Sequence, residues 1–230
     1  MSDQIFPPEI FDLFLDELGL TIEDPESQEA LLACIRVHRQ FYHKAISYIF
    51  SSLTISRRAH KRLRTLLDIL NVNPGIARHI RSLTLEAGLS PTEYLPAVLK
   101  QLGHLQEFRW ISKVIVWDHE ATIAASIENL CNPRSLTTLH LEKITNFKLS
   151  LLSTCCYLES LTLITVEFAE VESDSLSSSL FLSLKRLEVR DKINDWQAIE
   201  KIMICAAPTL TTLILCNSCV FWGKFKFCNF

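Results

Sequence analysis

A six-residue apolar pattern, LxxLxL with conservative swaps, returns seven times between residues 50 and 215. It reads FSSLTI from Phe50, IRSLTL from Ile80, LQEFRW from Leu105, LTTLHL from Leu136, LESLTL from Leu158, LKRLEV from Leu184 and LTTLIL from Leu210. Successive copies start 30, 25, 31, 22, 26 and 26 residues apart. Side chains alternate faces along a strand, so the fourth and sixth residues of each copy point one way and the third, fifth and seventh the other. The leucines go inward.

The stretches between copies read as short helices that cover the apolar edge each strand leaves open. Ser90-Pro91-Thr92-Glu93 combines an N-cap, a first-turn proline and a capping-box glutamate ahead of Tyr94, Leu95, Val98, Leu99 and Leu102. Asp118 starts a helix carrying Ile123, Ile127 and Leu130, and Asn194 or Asp195 starts one carrying Trp196, Ile199, Ile202 and Met203. One strand and one helix per ~26 residues resembles a leucine-rich repeat solenoid of the longer, helix-containing type over residues 50–216. The resemblance implies an α/β fold with parallel strands on a concave face and helices on a convex one.

Glycine is scarce, and the shortage excludes several chemistries. Only five occur in 230 residues, at Gly19, Gly75, Gly88, Gly103 and Gly223, never within five of one another. GxGxxG, GxxxxGK[ST] and GxSxG are therefore absent. The net charge of −3 gives no support to a general polyanion-binding role. No stretch approaches the ~18 uninterrupted apolar residues of a membrane span, and MSDQIFPPEIF has no cationic region followed by an apolar core. The expectation is a soluble protein of the cytoplasm, the nucleus or both, with its eight cysteines reduced. Cys131, Cys155, Cys156 and Cys205 precede the motif leucines, where a small apolar side chain packs under a helix end. Cys216-Asn217-Ser218-Cys219 has half the spacing of a zinc site and no partner pair, so neither metal nor cofactor is expected.

The first 49 residues stand outside the repeat. Phe6-Pro7-Pro8-Glu9 opens a helix whose apolar face is Ile10, Leu13, Phe14, Leu15 and Leu18, and Gly19 ends it. Pro25-Glu26 starts a second helix through Leu31, Cys34 and Val37, and a third spans Phe41, Ala45, Ile46 and Ile49. FPPEIFDLFLDEL resembles the opening of an F-box, LPxE[IL]xxx[IL]LxxL, with Phe6 and Phe14 in variant positions. LLACIRVHRQF is similar to its second half, LxxCxxVC[KR]xW, with His38 and Phe41 as departures. The order implies three parts: an F-box-like helical module over 1–49, a solenoid of about seven strands over 50–216, and an irregular aromatic tail over 217–230. The implied function is non-catalytic, that of a substrate-recognition subunit of a Skp/cullin/F-box ubiquitin ligase. Phe6, Pro7, Ile10, Phe14, Leu15, Leu18, Val37 and Arg39 would contact a Skp-type adaptor and, through it, a cullin. The alternative is a repeat scaffold whose degenerate F-box has no ligase role.

The polar side of the strands is the second candidate surface, roughly 30 Å long at ~4.8 Å per strand and so on the scale of a protein epitope. Arg109, His140, Glu142, Arg186, Glu188 and Arg190 are its charged positions and the expected contacts to an unknown protein substrate. Arg186, Glu188 and Arg190 are read as solvent-exposed charges that contribute little to folding. The charge blocks are uneven: residues 1–35 hold nine acids and no Lys or Arg, whereas 36–81 hold ten Lys and Arg with Asp68 as the lone acid. The basic run Arg57-Arg58-Ala59-His60-Lys61-Arg62-Leu63-Arg64 reads as a solvated helix face backed by Leu63, Leu66, Leu67 and Leu70, with an acidic protein partner or phosphopeptide as the second reading and nucleic acid or a nuclear import signal as the third. His119-Glu120 lacks the second histidine of HExxH, which leaves an independent enzyme as the third and weakest reading.

Overall fold

The computed structural model describes residues 8–22, 24–56, 59–87, 94–112, 135–169, 183–191 and 193–216. Helices α1 (Pro8–Leu20), α2 (Pro25–Val37) and α3 (Arg39–Ile49) come first. Asp24 caps α2 by accepting a hydrogen bond from the Ser27 N–H at 3.2 Å, with Pro25 in the first turn. The three helices enclose Leu15, Leu31 and Ala45, with Leu18, Cys34, Phe41 and Tyr48 half-buried around them. Gly19 lies inside α1 and does not end it. A Cβ there would collide with the Tyr48 ring, so the glycine is a notch that admits an aromatic side chain from α3.

Among the described residues, seven parallel strands follow in chain order across one sheet: β1 (Ser52–Ile55), β2 (Ser82–Ala87), β3 (Glu107–Ser112), β4 (Thr138–Phe147), β5 (Ser160–Phe168), β6 (Arg186–Arg190) and β7 (Thr212–Cys216). Each begins at the third residue of an LxxLxL copy. Two apolar rows cross the sheet in register. One is Leu53, Leu83, Phe108, Leu139, Leu161, Leu187 and Leu213; the other is Ile55, Leu85, Trp110, Leu141, Leu163, Val189 and Leu215. Their middle members are almost fully buried, each such side chain contributing about 1.5–3 kcal/mol. Helices α4 (Ala59–Val72), α5 (Leu95–Gln101) and α6 (Trp196–Ala206) add Leu63, Leu66, Leu70, Leu95, Leu99, Ile199 and Ile202 to the same core. Asp195 caps α6, accepting from the Gln197 and Ala198 N–H groups at 2.9 and 3.3 Å. The amide of Asn194 instead pairs with both backbone groups of Phe168, at 2.7 and 3.0 Å, and ties β5 to the start of α6.

The sheet overturns the leucine-rich repeat solenoid and, with it, the F-box and repeat-protein resemblance. It is a single open sheet, neither closed nor curved into a horseshoe, and its helices are irregularly placed. Solenoid curvature needs the same small rotation at every repeat. Here the covering elements are unequal: a 14-residue helix plus a 3₁₀ turn after β1, a seven-residue helix after β2, a six-residue 3₁₀ turn after β4 and an 11-residue helix after β6. No constant wedge results. The α/β content stands, but the N-terminal helices form a small three-helix cluster rather than an identified F-box module.

Among the described residues, three have left-handed backbones, Lys143 (φ 56°), Thr165 (φ 52°) and Asp191 (φ 63°). Each directly follows one of three paired residues, Glu142, Ile164 and Arg190, so the conformation recurs at one height on β4, β5 and the end of β6. The reduced state expected for all cysteines fails at Cys155, which is buried and disulfide-bonded, whereas Cys34, Cys156, Cys205 and Cys216 are free. Asp118, the Ser90–Glu93 capping box, His119-Glu120 and the tail from 217 lie outside the described residues.

Candidate functional site

Two surfaces gather the expected contact residues. The first is an apolar groove of about 310 Å³ where α1, α2 and α3 meet, lined by Ile10, Phe11, Phe14, Leu15, Cys34, Val37 and Phe41. Large apolar side chains stand open around it: Ile10 is 48% exposed, Phe14 53% and Val37 74%. The Phe11 ring packs on Phe41 with centroids 5.0 Å apart, which fixes the groove floor. Burial pushes the Cys34 thiol above its ordinary pKa, so it lines the groove as an apolar group.

The expected adaptor-contact set is therefore divided. Ile10, Phe14 and Val37 surround the groove and Arg39 is exposed nearby on α3, but Leu15 is buried against Leu31 and Ala45 and Leu18 is half-buried beside them. Those two leucines hold the helices together. Phe6 and Pro7 lie outside the described residues. An ionic clasp on the same helices had no sequence signal beyond acidic α1 and basic α3. Lys44 Nζ lies 2.7 Å from Asp16 and 3.5 Å from Asp12, while the Tyr48 hydroxyl donates to Asp16. The hydrogen bonds from Lys44 and Tyr48 hold the Asp16 carboxyl below its ordinary value, and Asp16 in turn raises the Lys44 ammonium.

The polar face of the sheet is the second surface. Its middle row reads Thr54, Thr84, Arg109, His140, Thr162, Glu188 and Ile214 across the seven strands. Arg109 donates to Glu107 at 2.6 Å, and Lys143 to Glu142 at 2.8 Å. His140 is half-buried, and burial together with nearby Arg109 holds its pKa below the ordinary imidazole value against the opposing pull of Glu142. At neutral pH its 3.8 Å approach to Glu142 is a contact of a neutral ring. Arg186 donates to Glu188 at 2.9 Å, and Arg190 grips the other carboxylate oxygen.

Glu188 is the surprise of this face. Alternation alone places it in solvent, yet it is 6% exposed, because its two arginine neighbours on β6 fold over it. Burial pushes the carboxyl up, but the Arg186 hydrogen bond and the Arg190 charge outweigh it and leave the pKa below the ordinary value. The triplet is thus a structural clamp as well as a surface, which corrects its reading as three free charges. No model of a known protein family and no curated protein matches this chain. Among the described residues, no helix is long and apolar enough to cross a membrane, and no three His, Cys, Asp or Glu side chains cluster to hold a metal ion.

Proposed function

We propose that this chain is a non-catalytic protein-interaction subunit that joins two partners, one seated on the groove of the N-terminal helices and the other on the polar face of the sheet. The observation that carries the reading is the ring of exposed Ile10, Phe14 and Val37 around an apolar groove, an arrangement typical of the fully desolvated centre of an interface. Groove size and apolar lining favour an amphipathic helix as the occupant. The adaptor we assign to it is of the Skp type, which would make the chain a substrate-recognition subunit of a cullin ubiquitin ligase. The sheet face, with Arg109 three strands and His140 and Glu142 two strands from the Arg186–Glu188–Arg190 clamp, is the proposed seat of the protein substrate.

Capture of a purified Skp-type adaptor by the wild-type chain tests the assignment. Phe14→Ala combined with Val37→Asp removes exposed groove-rim side chains without touching Leu15 or Leu18, and should weaken capture at least tenfold while leaving the melting temperature unchanged. Equal capture by wild type and variant, or none by either, overturns the assignment of this adaptor.

A further inference from the structure

Strand β1 is an edge of the sheet, and among the described residues nothing pairs with its outer side. The Ser51 carbonyl accepts from the Ser82 N–H at 2.9 Å, and the alternation of a parallel ladder then turns the backbone groups of Ser52 and Thr54 to the open side. Both residues are exposed. Beside this edge runs a groove of about 630 Å³, about twice the volume of the one on the N-terminal helices. Its floor is Phe50, Leu53, Ile55 and Leu66; Lys61, Arg62, Thr65 and Ile69 of α4 form its wall.

The wall cations differ from those of the polar sheet face. Arg109, Lys143, Arg186 and Arg190 are each tied to a carboxylate, whereas Lys61 and Arg62 are exposed and make no ion pair among the described residues. Asp68 is the lone acid of the surrounding basic segment, and the charged residues that line the groove, Lys61 and Arg62, are both cations. Open backbone donors and acceptors, an apolar floor continuing the two buried rows, and two free cations on the wall occur together.

We propose that β1 receives an extended acidic peptide of another protein as an eighth strand. Its backbone pairs with Ser52 and Thr54, alternate apolar side chains settle on Leu53 and Ile55, and its carboxylates meet Lys61 and Arg62. The site lies apart from the N-terminal groove and from the β3–β6 part of the polar face that carries the proposed substrate contacts, and it stands or falls without them.

The test is fluorescence anisotropy with two labelled peptides of alternating valine and threonine, one ending in three glutamates and the other in three lysines. The wild-type chain should bind the glutamate peptide at least tenfold more tightly than the lysine peptide. Lys61→Glu with Arg62→Glu should reverse that preference, and Thr54→Pro, which removes an outward N–H without breaking the β2 ladder, should weaken both peptides at least tenfold. Circular dichroism checks that each variant is folded, and the charge reversal decides the matter if Thr54→Pro is not. Binding of neither peptide, equal binding of both, or an unaltered preference in the charge-reversed variant overturns the proposal. So does self-association in sedimentation that is lost with Thr54→Pro, which would give the edge to a second copy of this chain.

Discussion

Replacing Glu188 by glutamine keeps its shape and removes its charge. The carboxylate is 6% exposed and held from both sides by arginines, so the variant leaves two neighbouring guanidinium groups without their counter-charge. Breaking a fully enclosed ion pair costs about 3–5 kcal/mol. The two arginines here are 44% and 49% exposed, water screens them, and the expected loss falls to about 1–2 kcal/mol at neutral pH. The loss also has a pH signature. The folded-state pKa of Glu188 is lowered, so as pH falls the unfolded chain takes up this proton first. The stability it supplies is complete above the unfolded value of about 4.3 and disappears as pH falls through the folded value. Glutamine has nothing to titrate. Urea unfolding should therefore show a gap between wild type and Glu188→Gln that is full at about pH 7 and narrows in acid below about pH 4. A gap of the same size at both pH values, or a variant as stable as wild type at neutral pH, would refute the clamp.

Two further substitutions probe the core and the helical cluster. Leu161→Ala should lower unfolding free energy by roughly 2–5 kcal/mol and Thr162→Ala by well under 1 kcal/mol, because adjacent residues on β5 face opposite sides; equal losses in chemical denaturation would invert the face assignment. Gly19→Ala should cost about 1–3 kcal/mol through its collision with the Tyr48 ring, and Tyr48→Ala in the same chain should recover part of that loss; a thermal melt unchanged by Gly19→Ala would remove the notch.

The strands were legible because they are local. LxxLxL fixes which residue begins each strand and which pair points inward, and the register rows of Leu83, Phe108, Leu139 and Leu161 follow from it. The same pattern serves any parallel sheet with one buried face, so it does not encode curvature, which depends on the bulk of the covering elements between the strands. That is why the solenoid and its family resemblance failed while the strand positions did not. At the candidate sites, the F-box resemblance picks Ile10, Phe14 and Val37, which stand exposed, together with Leu15 and Leu18, which pack inside the helical cluster, since an apolar helix position does not say whether its partner is the same chain or another. Glu188 and Gly19 escape the pattern for a related reason: each is decided by how another side chain lies over it, Arg186 and Arg190 two residues away on the same strand in one case and Tyr48 of α3 in the other.

The left-handed residues at Lys143 and Thr165 act as phase shifters. Leu141 and Ile144 are three apart, as are Leu163 and Val166, yet all four side chains point into the core. An odd step between inward residues is impossible in plain alternation, so β5 carries two parity frames joined at one residue, and β4, where the buried Ile144 and Phe147 are again three apart across a register shift, carries three. Comparing this chain with another by counting in twos goes wrong beyond that point. Removing one residue there would also do more harm than its size suggests, because it exchanges inside for outside over the rest of the strand, through Phe147 on β4 and Phe168 on β5. Insertions and deletions in this protein are therefore constrained by whether their length is odd or even, most tightly along a line that no conspicuous side chain marks.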